Sequence, residues 1–221
     1  MGGKSPVAVE PRFITALESR LALPVPGAVA QARMAPEPRT VPPLMKTEDG
    51  ATPSAVLILL FSNGGDWSFF LTERSNTVEY HPGQLSLPGG AQEKDESLKA
   101  TALRETEEEI GIASEPVTVL GELTTLFIPV SGFRVYPFVG WINEELETTI
   151  DQTEVSAIHT ITVPTLLDES LVMRETRIIR GVKVDIPYFH FGELKVWGAT
   201  AAILSECRTL FADCFDMENT L

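Results

Sequence analysis

The sequence predicts an α/β fold in which a mixed β-sheet lies between layers of helices. Segments with the apolar pattern of strands are interleaved with two main segments of helical periodicity, an order typical of layered folds. The chain has 221 residues, which suits one large domain or one domain with an extension. It contains no internal repeat, and its apolar share of 43% is ordinary for a globular protein.

We predict a division into an N-terminal region at residues 1–52 and a main domain at residues 53–221. Residues 1–10 are predicted to be disordered. Residues 24–53 are rich in proline and predict an irregular arm that extends over the domain, with a free linker as the alternative. Between these two segments, apolar residues at helical spacing predict one amphipathic helix: Phe13, Leu17 and Leu21.

Seven strands are predicted in the main domain from runs of β-branched, aromatic and aliphatic residues. They are residues 55–62, 67–72, 117–127, 133–142, 157–163, 173–179 and 182–190. Turn residues at 63–66 join the first two strands as a hairpin, and those at 180–181 join the last two. We expect a surface loop at 143–153, a short helix near 164–168 and a closing helix at 197–215.

The composition excludes several classes of partner. A net charge of −14 argues against nonspecific binding to nucleic acid or to an anionic membrane. No apolar run approaches the length of a membrane span, and the N-terminus lacks the apolar core of a signal peptide. The three histidines have no zinc-ligand spacing. Cys207 and Cys214 are too far apart on a helix for a disulfide, so we interpret them as buried thiols and expect a cytoplasmic protein.

Three carboxylates are the strongest functional signal in the chain. Glu105, Glu108 and Glu109 follow one another at spacings that place them on one face of a helix. Like charges so close together suggest a bound cation, and ligands that are all oxygen suggest Mg²⁺ or Mn²⁺. The alternative is a solvated acidic face, which is common in a chain this acidic.

Local signals support a helix around this cluster. Asp95 is the predicted N-cap, and Gly111 is placed to end the helix in a left-handed turn. Before the helix, residues 87–90 form a tight loop whose glycines let the backbone approach a ligand. The predicted buried stripe recurs every four residues, with Leu103 beside it: Leu98, Ala102, Thr106 and Ile110.

This stretch resembles the Nudix box: glycine, five residues, glutamate, seven residues, then Arg-Glu-x-x-Glu-Glu-x-Gly and an aliphatic residue. The matching positions are Gly90, Glu96, Arg104, Glu105, Glu108, Glu109, Gly111 and Ile112. Thr106 departs from the aliphatic residue of the pattern, a change that concerns packing more than chemistry. The resemblance implies a Nudix-type α/β/α sandwich with a mixed β-sheet, and a hydrolase of diphosphate substrates that depends on Mg²⁺ or Mn²⁺.

The resemblance implies the same three glutamates as metal ligands, with a backbone carbonyl of Gly90 or of its neighbour Gly89. The spacing of Arg104 from Glu108 lets the guanidinium pair with that carboxylate and orient it. Glu96 is interpreted as structural. The general base stays open between Glu108, Glu109 and a carboxylate from elsewhere, for which Glu154 is the candidate; a surface glutamate is the alternative for Glu154.

A second motif lies directly upstream of the box. Residues 71–75 and 83–90 resemble the signature of the coenzyme A pyrophosphatase branch of Nudix hydrolases, L-L-T-x-R-S followed at fixed spacing by Arg, Gly and F-P-G-G. Residues 131–137 and 197–201 are similar to further segments of that branch. The candidate substrate-binding residues are Arg74, Ser75, His81 and Gln84.

Three positions depart from this signature. Phe70 stands where leucine is usual, and Leu87 stands where phenylalanine is usual; both are mild changes. Glu79 stands where the signature has a basic residue, so the charge at this position is reversed. Whether this reversal alters substrate specificity stays open.

The combined resemblance implies a metal-dependent hydrolase that cleaves coenzyme A or acyl-CoA to 3′,5′-ADP and 4′-phosphopantetheine. One alternative is a Nudix hydrolase of another nucleoside diphosphate derivative, such as ADP-ribose or NADH. Another is a non-catalytic Nudix fold that senses a ligand, although a sensor has no need of the intact carboxylates. We expect a small-molecule substrate as the partner, and a homodimer is also considered.

Overall fold

The structure is a computed structural model that describes residues 11–38, 47–75, 83–144, 146–179 and 181–218. Its helices are α1 (Arg12–Leu21), α2 (Gly27–Ala32), α3 (Leu98–Ile110), α4 (Val163–Leu167) and α5 (Gly198–Glu218), with a single 3₁₀ turn at Glu169–Leu171. Its strands are β1 (Thr52–Asn63), β2 (Asp66–Arg74), β3 (Leu85–Ser86), β4 (Gly89–Ala91), β5 (Thr118–Glu122), β6 (Leu126–Ile128), β7 (Phe133–Trp141), β8 (Val155–Thr162), β9 (Val172–Ile179), β10 (Val182–Phe191) and β11 (Leu194–Trp197). Sequence predictions for residues 1–10, Glu79, His81 and Arg180 lie outside the described residues.

Strand β1 is central to an eight-stranded mixed sheet. It runs parallel to β7 and antiparallel to β2 and β4. Strands β5 and β6 pair with β7, whereas β3 and β8 pair with β2. One row of this sheet places Gly90 of β4, Ala55 of β1 and Tyr136 of β7 side by side, so the loop that precedes α3 is part of the sheet.

Helices cover both faces of this sheet and confirm the predicted α/β/α sandwich. On one face, Ala102 and Ile110 of α3 pack against Leu57 of β1 in one apolar cluster. On the other face, α1 and α5 pack together, and the rings of Phe13 and Phe211 meet edge to face with their centres 5.9 Å apart. Each face of the sheet therefore has its own core.

A second sheet of three strands, in the order β11-β10-β9, follows the main sheet along the chain. The predicted hairpin of β9 and β10 is confirmed, and Asp185 of β10 pairs with Thr176 of β9. The short strand β11 was not predicted. Glu37 of the N-terminal region forms an isolated antiparallel bridge with Asp185.

The predicted strand at 117–127 is wrong in its centre, because the structure has two strands there, β5 and β6. Between them, the N–H of Leu123 donates to the carbonyl of Pro137 at 2.8 Å, and the N–H of Thr124 donates to the carboxylate of Glu206 at 3.3 Å. Strand-forming residues continue through this point, but the backbone is held by a side chain from α5.

Glu206 of α5 is a buried carboxylate that joins three distant segments, and its exposed fraction is 0%. It accepts hydrogen bonds from the Gly27 N–H at 2.9 Å, the Gln31 amide at 2.9 Å and the Thr124 hydroxyl at 2.7 Å. Gly27 and Gln31 belong to α2, so part of the region predicted to be irregular is a short helix fixed to the core. The division at residue 52 stays a prediction.

The structure also bears on the two cysteines and on the length and apolarity of the helices. Cys207 and Cys214 are both buried and unbridged, as predicted. Of the helices in the described part of the chain, none combines the length and the apolarity needed to cross a membrane.

Candidate active site

Helix α3 carries the three glutamates and is capped at both ends. Ser97 has extended backbone angles, and its hydroxyl accepts a hydrogen bond from the Ala100 N–H at 3.2 Å. The prediction of Asp95 as N-cap is wrong, because Asp95 has a left-handed φ of 64° and lies in the preceding turn. Gly111 ends the helix with a φ of 74°, as predicted.

The predicted buried stripe of α3 is confirmed at three of its four positions, since Leu98 is only partly buried. Thr106 is 1% exposed, and its hydroxyl donates to the carbonyl of Ala102 at 2.7 Å. This bond satisfies the one polar group that the departure from an aliphatic residue introduces. Glu109 is also buried, which the sequence did not predict.

Arg104 is the centre of an ion-pair network beside the cluster. Its guanidinium donates to Glu96 at 2.9 Å and to Glu108 at 2.8 Å, and it contacts Glu105 at 2.9 Å. The hydrogen bond from Arg104 lowers the pKa of Glu96 to about 2. Glu96 is therefore ionised and holds the guanidinium, which agrees with its interpretation as a structural residue. The predicted pair of Arg104 and Glu108 is present, although Glu108 is largely exposed.

The two glycines before α3 bring the backbone against these carboxylates. A Cβ atom on Gly90 would lie 2.4 Å from the carboxyl carbon of Glu105. Gly89 has a φ of 152°, and a Cβ there would lie 2.2 Å from the carbonyl oxygen of Ala55. No side chain fits at either position without moving the sheet or Glu105.

Glu109 is the most deeply buried carboxylate of the cluster, with an exposed fraction of 3%. It accepts a hydrogen bond from the Gly89 N–H at 3.3 Å. Burial raises the pKa of Glu109 to about 8, and the charges of Glu105 and Glu154 add to the rise while that of Arg74 opposes it. Burial also raises the pKa of Glu105. Glu154 and Arg74 thus act on Glu109, although both lie far from α3 in the sequence.

The chemistry of this donor set fits a hard divalent cation, because every candidate ligand atom is an oxygen. Within the described ranges, however, no three His, Cys, Asp or Glu side chains form a group that could hold a metal ion. Glu105 and Glu108 instead contact Arg104, while Glu109 accepts its hydrogen bond from the Gly89 N–H in the loop at 87–90. The assignment of the three glutamates and Gly90 as metal ligands stays a prediction.

The two halves of the upstream signature form one antiparallel pair, β2 with β3. The Arg74 N–H donates to the carbonyl of Gln84 at 3.1 Å, and the Gly83 N–H donates to the carbonyl of Arg74 at 3.0 Å. Ser75 follows directly and is buried; its N–H donates to the carbonyl of Glu154 at 2.8 Å. Three of the four candidate substrate-binding residues therefore come together, and His81 lies outside the described residues.

Gln84 also connects the signature to the start of α5. A Cβ on Gly198 would lie 3.9 Å from its amide nitrogen, and the Thr200 hydroxyl donates to the Leu85 carbonyl at 3.1 Å. The signature loop and the segment at 197–201, which the sequence pattern grouped together, are neighbours in the fold.

Sequence reasoning missed the anchor of the loop that presents Glu154. Asp151 Oδ1 accepts from the Thr153 N–H at 2.8 Å and from its hydroxyl at 2.7 Å. The Asp151 N–H donates to the carbonyl of Glu109 at 3.2 Å, which ties the loop to the end of α3. An aspartate two residues before a threonine is a known turn signal and marks this position.

Comparisons with known proteins identify the family of this chain. The NUDIX domain family matches residues 51–181, more than half of the chain. The chain is 32% identical to Nudix hydrolase 3 of Caenorhabditis elegans, over 76% of this chain and 77% of that protein. It is 33% identical to the uncharacterized Nudix hydrolase NudL of Photorhabdus laumondii, over 75% of this chain and 88% of that protein.

A solved structure shows the same fold. The Nudix hydrolase RenU of M. smegmatis superposes with a TM-score of 0.53 at 19% identity, over 76% of this chain and 94% of that chain. Identity this low shows the fold alone, whereas the matched domain and the relatives above 30% show the family. The protein is therefore a member of the Nudix hydrolase family.

Proposed function

We propose that this Nudix hydrolase cleaves the diphosphate of coenzyme A or acyl-CoA and releases 3′,5′-ADP and 4′-phosphopantetheine. The observation that carries the proposal is the pairing of β2 with β3, which brings the two halves of the upstream signature together beside Glu109. Family membership supports the hydrolysis of a diphosphate, and the signature supports the narrower substrate.

The proposed cofactor is Mg²⁺ or Mn²⁺, held by Glu105, Glu108 and Glu109 with a backbone carbonyl of Gly90. When bound, such a cation neutralises the charge of the diphosphate and lowers the pKa of a bound water. Arg104 keeps the carboxylates in place through its contacts with Glu105 and Glu108. Gly89 and Gly90 keep further side chains away from these carboxylates.

Arg74 is the proposed phosphate-binding residue. Its backbone is fixed by the pair with Gln84, and its positive charge acts on Glu109. A planar guanidinium can donate two parallel hydrogen bonds from two nitrogens to one phosphate, a geometry that the single nitrogen of a lysine does not have. Ser75, His81 and Gln84 stay proposed contacts of the same ligand.

The expected substrate preference is testable with the wild-type protein. With Mg²⁺ or Mn²⁺, kcat/KM for coenzyme A should exceed that for ADP-ribose, NADH and deoxynucleoside triphosphates, with products identified by mass spectrometry. Release of 3′,5′-ADP identifies the bond that is cleaved. Equal or lower kcat/KM for coenzyme A would reject the proposed substrate, while leaving the family assignment intact.

Glu154 is the proposed general base, since its charge reaches both Glu105 and Glu109 and its loop is tied to α3. Replacing Glu154 with glutamine should lower kcat by about 10²-fold without lowering the melting temperature, because a positioned base typically contributes this much. Glu147→Gln, in the same acidic loop, is the matched control and should leave kcat unchanged. An unaltered kcat in Glu154→Gln would return the role to Glu108 or Glu109.

A further inference from the structure

Among the described residues, the outer edge of β9 has no partner strand. In the three-stranded sheet, β10 lies between β11 and β9, and no other strand in the described ranges pairs with β9. Most residues along β9 are exposed. An exposed edge of this length presents backbone donors and acceptors that can pair with another strand.

The direction of these donors follows from the contacts of Asp185. Its N–H donates to the Glu37 carbonyl at 2.7 Å, and its carbonyl accepts from the Glu37 N–H at 2.9 Å. Both of its backbone groups therefore point away from β9, so the pair of Asp185 with Thr176 is a non-hydrogen-bonded one. The N–H and the carbonyl of Thr176 consequently face the free edge.

Pro187 supports this alternation. It stands opposite Arg174, two residues further along the ladder, where β10 has no donor to offer β9. By the same period of two, the backbone groups of Arg174 and Ile178 also face outward. The free edge thus offers outward donors and acceptors at Arg174, Thr176 and Ile178.

The side chains of β9 are complementary to themselves in one register. If two copies run antiparallel with a two-fold axis at Thr176, Glu175 of each copy lies opposite Arg177 of the other. Met173 then lies opposite Ile179, and their exposed fractions are 43% and 40%. A register centred one residue away loses this match, because a centre at Glu175 or at Arg177 would place that charged side chain opposite its own copy.

We propose that two copies of this chain associate through β9 in this register and form a continuous six-stranded sheet. The hydrogen-bonded positions are Thr176 with itself and Arg174 with Ile178, which gives about six backbone hydrogen bonds between the copies. Glu175 and Arg177 occupy the non-hydrogen-bonded positions, where facing side chains are closest. This association is independent of the substrate.

Within one copy these charged side chains are partly exposed and remain available to a second copy. Glu175 forms ion pairs with Arg177 and Lys195, and its side chain is 30% exposed, while that of Arg177 is 46% exposed. Pairing with a second copy would extend these pairs into an alternating row of charges across the two-fold axis. Opposite charges at facing positions stabilise antiparallel strands, and like charges destabilise them.

The first test is the mass of the full-length protein by sedimentation equilibrium over a range of concentrations. We expect a dimer, and Thr176→Pro should weaken it by about tenfold or more, because it removes the outward N–H of the central pair but no bond to β10. Thr176→Ala keeps that N–H and is the control, with little expected change. A monomeric wild type at all concentrations, or equal dimerisation of the two variants, would overturn the proposal.

A charge exchange tests the register without depending on the fold of the proline variant. Glu175→Arg alone and Arg177→Glu alone each place like charges opposite one another in a homodimer, so each should dimerise more weakly than the wild type. A mixture of the two single variants restores opposite charges in the heterodimer, and so does the double exchange within one chain. Dimerisation that is insensitive to the single changes, or not recovered on mixing, would show that this register is wrong.

Discussion

Replacing Glu109 with glutamine should lower kcat with Mg²⁺ by about 10³-fold while the fold survives. Glutamine keeps the shape of the side chain but cannot ionise when a cation binds, and loss of a proposed metal ligand should cost several kcal/mol in the transition state. Glu107→Gln is the matched control, because Glu107 is exposed on another side of the same helix and, among the described contacts, its side chain binds only the Ser114 N–H.

Thermal unfolding gives a second measurement for the same variant. A cation that binds only the folded protein raises its melting temperature. We expect Mg²⁺ or Mn²⁺ to raise the melting temperature of the wild type and of Glu107→Gln more than that of Glu109→Gln. Near-normal kcat together with an unaltered metal-dependent shift would show that Glu109 is not a ligand, whichever diphosphate is the substrate.

Replacing Glu206 with alanine should lower the free energy of unfolding by about 3 kcal/mol or more. The change leaves the Gly27 and Thr124 N–H groups without their acceptor and removes one of the two acceptors of the Gln31 amide, and unpaired buried donors are costly. In a chain of this length the melting temperature should fall by roughly 10 °C.

The control for this variant is Glu169→Ala. The side chain of Glu169 is 93% exposed in its ion pair with Arg208, and such pairs contribute about 0–1 kcal/mol. Urea unfolding of both variants and the wild type measures the difference. If Glu206→Ala lowers the free energy of unfolding no more than Glu169→Ala does, the buried network contributes little to stability.

Local sequence patterns predicted the features whose causes are local. The start and end of α3 fall within a few residues of the prediction, and Gly111 ends the helix in the left-handed conformation that the sequence predicts. The sequence predicts Asp95 and not Ser97 as the N-cap, because both residue types can cap. Backbone angles, which the sequence does not state, decide between them.

The remaining features depend on contacts between distant segments. The break between β5 and β6 is held by Glu206 from α5, so no pattern within residues 117–127 could reveal it. Helix α2 is six residues long, too short for a periodic signal, and is fixed by the same carboxylate. The burial of Glu109 depends on the strands beneath α3. The motif therefore singles out Glu109 but does not show that its side chain is buried.

The packing of α1 on α5 also determines when this face of the sheet can fold during translation. Phe13 meets Phe211 and Phe215, two residues near the end of the last helix in chain order. While the residues of the strands are still being translated, α1 has already been made, and its apolar side is not yet covered by α5. The nascent chain must keep that side from other partners until α5 emerges, so folding of this face is completed only after translation has passed Phe215.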